Sequence, residues 1–337
     1  MPDTIPHPIQ TIASETWLNI ALTAILITAP LLAWTLGEVY YVNLGSRIAI
    51  LALAGTGLNI ALGQGGLISF GHAAFFGLGG YTAAIAAHHA LEGSAIVSWP
   101  FEIGATDLMP LIWCAAILVS AAVGAIIAAL SLKTAGAYFI MITLAFAQMI
   151  YYLAVSIPTY GGEDGLPITL RNRIPGIETT KPLTFFFLCL ACLGLGLWIF
   201  HTIQQSRFGA ALATARMNET RLATAGIEPF PIKLSAFVIS AALTGLAGAL
   251  YADLNGFAGP SMLNWHTSGE IMVFVILGGV GRLYGPVAGA ALFILLETFI
   301  GGMTDRWAFF LGLILLSVVL FAPGGLIGLF SGKSRAN

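Results

Sequence analysis

Positions 48 to 91 contain no Asp, Glu, Lys or Arg, yet the middle of that run reads "LNIALGQGGLISFGHAAFFGLGGYTAAI", from Leu58 to Ile85. Few folds accept such a run. It is apolar enough to sit in hydrocarbon, where every backbone N–H and C=O must be satisfied inside the chain and helices are the available answer. It is also crowded with glycines from Gly63 to Gly80, and each weakens a helix by about 1 kcal/mol relative to alanine. His72 sits among them, and a histidine in lipid needs a partner. Composition decides between a soluble core and a membrane. The 337 residues are 58% hydrophobic and 8% charged, against about 25% charged in soluble domains, with mean hydropathy +0.92. The chain reads as an all-α, polytopic integral membrane protein, a single transmembrane domain over 1–337.

The few charges mark the spans, each needing about 20 apolar residues. They fall near Leu18–Leu36, Ile48–Leu62, His72–Ala87, Leu111–Leu130, Ala135–Ile157, Leu183–Ile203 and Leu234–Ala252. Two short spans follow, joined at "GRLYGP", and a last one covers Trp307–Phe330. That makes about ten transmembrane helices, with a Gly-rich broken segment near 63–71. With both termini in the cytoplasm, eight of the 13 Lys and Arg fall inside, the direction of the positive-inside rule. On this count Arg47 belongs to an outer loop. The N-terminus "MPDTIPHPIQTIASETW" lacks the basic start and small-residue cleavage site of a secretory leader.

Several function classes drop out. A net charge of -2 offers nothing to nucleic acid. The tail has "GKS" at Gly332–Ser334, but a P-loop needs glycine where Ile327 stands. "GVGRLYG" has the wrong spacing for a dinucleotide loop, and neither HExxH nor GxSxG occurs. No cofactor, metal or catalytic residue is expected, and the chain is not read as an enzyme. Cys189 and Cys192 are spaced CxxC within "FFFLCLACLGLGLW", where an apolar helix makes them packing residues. Glu297 is the clear intramembrane carboxylate, and it reads as bonding a neighbouring helix or sitting near an interface rather than touching ligand. Proton or sodium pumps use more such groups, so energy for any transport should come from a partner.

The most polar loop, Gln204–Lys233, reads as one short amphipathic surface helix. Phe208, Leu212 and Ala215 share a face, Arg216 and Glu219 form an i,i+3 pair, and Gly226 ends the helix before Pro229 and Pro231. Its small alanines point to a protein surface in close contact rather than to lipid. From here a resemblance is specific. "SRFGAALATARMNETRLATAGIEPFPIKLSAFVISAALTGLAGALYA", "GHAAFFGLGGYTAA", "GGVGRLYGPVAGA" and "APGGLIGL" stand in order between about 48 and 328. Together they resemble the branched-chain amino acid permeases of ATP-binding-cassette importers, the LivM type. The resemblance implies a bacterial inner-membrane permease with two separate ATP-binding subunits, a second homologous permease, and a periplasmic or lipid-anchored substrate-binding protein. It also implies that Gly209, Leu212, Arg216, Glu219 and Gly226 belong to an ATPase-docking loop. The family carries basic residues where this chain has Ala210 and Ala213, and often arginine where it has Ala322, so the docking surface here is less basic.

Polar cargo crosses membranes where helices are broken, which makes Gln64, Ser69 and His72 candidates for a substrate pathway. The alternative for each is local: His72 caps or staples the break, and Gln64 and Ser69 are weighed in the same way. Three rivals to the importer of branched-chain or related amino acids stand beside it. One is a permease for urea or short amides. The others are an ion-coupled secondary transporter and an intramembrane enzyme, which the lack of paired membrane carboxylates or a metal motif disfavours.

Overall fold

A computed structural model of the chain describes residues 8–97, 103–104, 106–169, 171–304, 306–321 and 324–330. The architecture is helical throughout, with only two short two-stranded ribbons, Ala95–Val97 with Ile103–Gly104 and Leu166–Pro167 with Phe257–Ala258. In chain order the helices are α1 (Pro8–Thr35), α2 (Val39–Asn59), α3 (His72–Glu92), α4 (Met109–Ser131), α5 (Ala137–Val155), α6 (Pro182–Gln205), α7 (Arg207–Met217), α8 (Glu219–Thr224), α9 (Pro229–Asn255), α10 (Trp265–Gly278), α11 (Gly285–Gly301), α12 (Trp307–Phe321) and α13 (Gly325–Phe330). Six helical segments in the described residues are long and apolar enough to cross a membrane: Trp17–Thr35, Val39–Gln64, Met109–Ser131, Ala137–Val155, Pro182–Gln205 and Pro229–Asn255. Helix α3 is as long as α2 but is not among these six, and α10, α11 and α12 are shorter.

Helices α2, α3 and α9 form the centre, because their small residues let backbones approach. Between α3 and α9, a Cβ at Gly79 would run into the carbonyl of Gly245, and one at Gly248 into that of Phe76. Close apposition of this kind replaces the hydrophobic drive that helices lose in lipid. On the other side of α9, a Cβ at Gly124 of α4 would meet Ala241 at 2.6 Å, and Ser120 of α4 donates to the Phe75 carbonyl of α3 at 3.3 Å. Gly57 of α2 lies against Thr244 and Ser240. Helix α2 is buried almost throughout its length, whereas α1 presents Trp17, Ile20, Ile25 and Leu32 outward. Cys189 and Cys192 are free thiols buried on α6.

Three expectations are corrected. Arg47 does not lie in an outer loop. Helix α2 begins at Val39 and carries Arg47 well inside it, where the guanidinium holds both carboxylate oxygens of Glu297 on α11 at 3.1 and 3.0 Å. Pairing removes the cost that made a membrane arginine look like a loop residue. The last expected span, Trp307–Phe330, is two helices, α12 and α13, with Gly325 at φ +68 opening the second. The loop after α6 is likewise two helices, for the reason given below.

Beyond α5 the chain is tied to the end of α9. Arg171 donates to the carbonyls of Asp253 at 3.0 Å, Leu254 at 3.3 Å and Thr179 at 3.1 Å, and its guanidinium lies 4.6 Å over the Phe185 ring. Asn172 donates to Asp253 Oδ1 at 2.7 Å. The Leu166–Pro167 ribbon pairs with Phe257–Ala258 at the same end.

The packing predicts an asymmetry among glycines. Gly79→Ala forces α3 off α9 and is expected to cost about 1–3 kcal/mol by overpacking. Gly194→Ala on α6, where a Cβ meets nothing within 4 Å, is expected to be neutral or to gain up to about 1 kcal/mol from helix propensity. Melting of the two variants in the same detergent checks the order; equal melting temperatures would contradict the close α3–α9 contact.

Candidate functional site

The glycine break is built where α2 stops being an α-helix. Its last residues run into a π-helical turn, Ile60–Gln64, followed by irregular chain from Gly65 to Gly71 before α3 begins at His72. Such π-turns often sit at functional positions because they misalign the backbone ladder. Gly66 adopts φ +67, which favours glycine. At Gly63 a Cβ would meet the Gly281 backbone at 2.7 Å, so the break and the turn between α10 and α11 touch main chain to main chain.

Backbone and side chains together take up groups around the break: the N–H groups of Gly65, Gly66 and Leu67 bond the carbonyls of Ile60, Leu62 and Ala61. Asn59 donates to the Arg282 carbonyl at 2.9 Å and accepts from Gly281 N at 2.8 Å. Ser69 Oγ accepts from Gly71 N at 3.1 Å. Ser268 of α10 accepts from Ala73 N and donates to the Phe70 carbonyl, both at 2.7 Å, and so caps α3 from another helix. Ser240 of α9 donates to the Gly57 carbonyl at 2.6 Å, which uses its one hydrogen. His72 Nε2, 2.7 Å from the same oxygen, must then be the donor, which fixes the proton on Nε2. The ring is fully buried and edge-on to Phe75 and Phe237.

Below the break lies the loop after α6. Ser206 caps α7 by accepting from Gly209 N at 3.1 Å, and Asn218 caps α8 by accepting from Arg221 N at 3.0 Å. Asn218 is extended, at φ -162 and ψ 108, so it ends one helix and starts the next; Asn is among the strongest N-caps. The expected single helix is therefore two, and the expected Arg216–Glu219 pair is split. Glu219 pairs instead with Lys233 at the foot of α9. Arg216 donates to the Gly63 carbonyl at 2.5 Å, with its methylenes laid over Gly66.

Leu212, Ala215 and Gly209 are buried, so the small apolar face of α7 is covered by this chain itself. A Cβ on Gly65 would lie 3.3 Å from Leu212 Cδ1, and one on Gly209 would strike the Ile203 carbonyl. Gly226, at φ +81 with nothing near, turns the chain after α8. What remains outward is the apex, including Met217 (82% exposed), Asn218, Glu219 and Thr220. Ala210 is exposed, Ala213 is half-buried, and Ala322 lies outside the described residues.

A cavity of about 210 Å³ opens where these parts meet, lined by Gly65–Ile68 of the break, the α4–α5 turn around Thr134–Gly136, and Arg216, Glu219 and Lys233. None of Gln64, Ser69 and His72 lines it. Gln64 ends the π-turn half-buried, while Ser69 and His72 are buried and engaged with backbone and Ser240.

The family described as the branched-chain amino acid transport system permease component matches this chain over residues 40–320. The chain belongs to this permease family. The permease is 25% identical over 310 residues to the high-affinity branched-chain amino acid transport system permease protein LivM of Salmonella typhimurium, covering 85% of this chain and 69% of that one. Its Escherichia coli counterpart is 24% identical over the same shares. The permease protein BraD of Pseudomonas aeruginosa is 25% identical over 299 residues, with 85% of this chain and 93% of that one covered. No solved structure matches the chain.

Sequence reasoning missed Asn59, Ser240 and Ser268. Each is a small polar residue inside an apolar run, the type that satisfies freed backbone in membranes; nothing local to them says which distant carbonyl they serve.

In the permease, Ser240→Ala leaves His72 Nε2 without a partner and takes one of the donors from the Gly57 carbonyl, which still accepts from Ile60 N, and is expected to cost about 1–3 kcal/mol. Ser240→Thr keeps the hydroxyl. Melting of the two variants checks this, and an alanine variant as stable as wild type would remove the staple.

Proposed function

We propose that the chain is one permease subunit of an ATP-binding-cassette importer in a bacterial inner membrane, carrying branched-chain or related amino acids inward. A second permease of similar fold completes the pathway, two separate ATP-binding subunits supply the energy, and a periplasmic or lipid-anchored binding protein delivers cargo. Residues 1–337 act as one permease domain with ten crossings: α1–α6 and α9–α12, α2 being extended by its π-turn. Both termini and the α7–α8 segment face the cytoplasm. Family membership and the relatives' names support the cargo class. Membership and the lack of a P-loop support a separate energy source.

The observation that carries the mechanism is the Arg216–Gly63 hydrogen bond. It joins the loop assigned to the ATPase with the break between two central helices. The exposed apex from Met217 to Thr220 takes the partner, while Gly209 and Leu212 seat α7 on the permease and Gly226 turns the chain back. Movement of the apex then pulls through Arg216 on the one part of α2–α3 that has no regular ladder to resist it. In this reading Ser69 and His72 hold the break's upper edge, and Gln64 lies on the route that opens as the break moves. A urea or short-amide importer would use the same lever with a different cargo.

The test is the intact complex in proteoliposomes. Arg216→Ala is expected to keep the ATP-binding subunits in the purified complex and to lower labelled leucine uptake by about tenfold, the scale of a typical coupling energy. Glu219→Lys is expected to lose those subunits. Combining it with Lys233→Glu restores the internal pair with reversed charge; recovery of the subunits in the double variant would show that Glu219 acts only within the permease. Normal uptake with Arg216→Ala would remove the lever. Uptake of urea in place of leucine would select the runner-up.

A further inference from the structure

The cavity between the break, the α4–α5 turn and the loop after α6 holds about 210 Å³, the share of roughly seven water molecules at about 30 Å³ each. That is room for a small apolar amino acid. On the topology proposed above, it opens on the cytoplasmic side. Its lining divides by chemistry. Leu132, Phe139 and Ile140 line it from the ends of α4 and α5, and Arg216, Glu219 and Lys233 line it from α7, α8 and α9.

The charged groups are not exhausted by their partners in the chain. A guanidinium carries five N–H donors, and among the described residues Arg216 gives one to the Gly63 carbonyl. An ammonium carries three, and among the described residues Lys233 gives one to Glu219 Oε1. The Lys233 side chain is only 13% exposed, so its remaining donors face the interior, whereas that of Glu219 is 56% exposed. Glu219 Oε2 still accepts, and so does the Thr134 hydroxyl, whose hydrogen goes to the Ser131 carbonyl. Donors on two cations thus stand beside acceptors on a carboxylate and a hydroxyl, next to an apolar wall. A simple anion would meet the cations but also Glu219. A zwitterion with an aliphatic side chain matches all three parts.

We infer that this cavity binds the imported amino acid from the cytoplasmic side and that its occupancy slows further import. The carboxylate takes Arg216 and Lys233, and the ammonium takes Glu219 and Thr134. The side chain lies on Leu132, Phe139 and Ile140. Charge-assisted hydrogen bonds offset the desolvation of the two charged groups, and the apolar wall removes the side chain from water. The effect on import runs through Arg216. With the site filled, its guanidinium holds the break and the ligand at once, so the loop leaves the break only by giving up both. A ligand that favours one position of the loop shifts the population toward it. The inference rests on the amino-acid importer reading.

The test is labelled leucine uptake by the complete complex in proteoliposomes. The binding protein is outside and ATP is sealed inside, so only complexes with the cytoplasmic side inward work. Initial rates are compared between vesicles loaded with unlabelled leucine and vesicles without it. Internal leucine is expected to lower the wild-type rate by about tenfold, the scale of a typical coupling energy. Ala135 is exposed at the α4–α5 turn and borders the cavity, and Ala135→Phe, which fills the space, is expected to make the two rates equal. Thr134→Val removes one acceptor and is expected to raise the internal leucine required by about tenfold, the loss of one hydrogen bond to a charged group. Each variant is read as its own ratio of rates, so a changed basal rate does not imitate the effect. A wild-type rate indifferent to internal leucine overturns the inference before any variant is made. So does slowing that keeps its wild-type leucine dependence in either variant. A rate that follows the phosphatidylethanolamine content of the vesicles and not internal leucine assigns the cavity to a lipid headgroup and also overturns it. A wild-type complex that hydrolyses ATP but takes up no leucine into unloaded vesicles overturns the importer reading instead.

Discussion

The rest of the molecule is arranged around the place where α3 and α9 cross with no side chain between them. Gly79 faces a carbonyl of α9, and Gly248 faces a carbonyl of α3. In lipid, apolar surface alone gives helices little reason to associate, so contacts between backbones carry much of the association. Once α3 is fixed to α9, the other sides of α9 receive α4 through Gly124 and Gly245, and α2 through Gly57. Side-chain volume at any of these points would separate the helices that hold the candidate site.

That fixed centre makes the break affordable. Seven residues without a regular ladder would leave orphaned N–H and C=O groups in an apolar setting, each costly to bury. Ser268 of α10 takes the Phe70 carbonyl, Ser69 takes the Gly71 N–H, and Gly65, Gly66 and Leu67 bond back to carbonyls of the π-turn, whose Gly63 carbonyl accepts from Arg216 of α7. His72 has its partner too, in a serine that already serves α2. The glycines and the histidine thus have one explanation. The glycines let backbones meet, and the polar side chains satisfy what those meetings leave open.

Much of this was legible from residue order alone. The charges between apolar runs located most of the long helices, and the break near 63–71 stands where the glycines put it. What failed was reading Arg47 as a loop marker. Arg47 is neutralised by Glu297, far away in sequence, and no local pattern encodes that pairing. The split at Asn218 was readable in principle, since Asn is a strong cap, but the apolar spacing of Phe208, Leu212 and Ala215 ran up to it and masked the stop. The roles of Asn59, Ser240 and Ser268 were not readable, because a serine in a membrane helix looks the same whether it bonds its own turn or a neighbour's carbonyl.

The two halves of α3 have different mechanical character, and this links the loop to the middle of the membrane. Toward its centre α3 lies backbone to backbone on α9, with no room for a side chain at Gly79 or Gly248. Below His72 the chain has positive-φ glycine at Gly66, a π-turn, and side-chain hydrogen bonds in place of a ladder. A pull at Gly63 is therefore absorbed first in the 60–71 segment, and only what exceeds that slack moves α3 and α9, together, as one body. The approach to α5 is looser: a Cβ on Gly71 at the foot of α3 would lie 3.3 Å from the Thr143 carbonyl of α5, against 1.8 Å from the Gly245 carbonyl of α9 at Gly79.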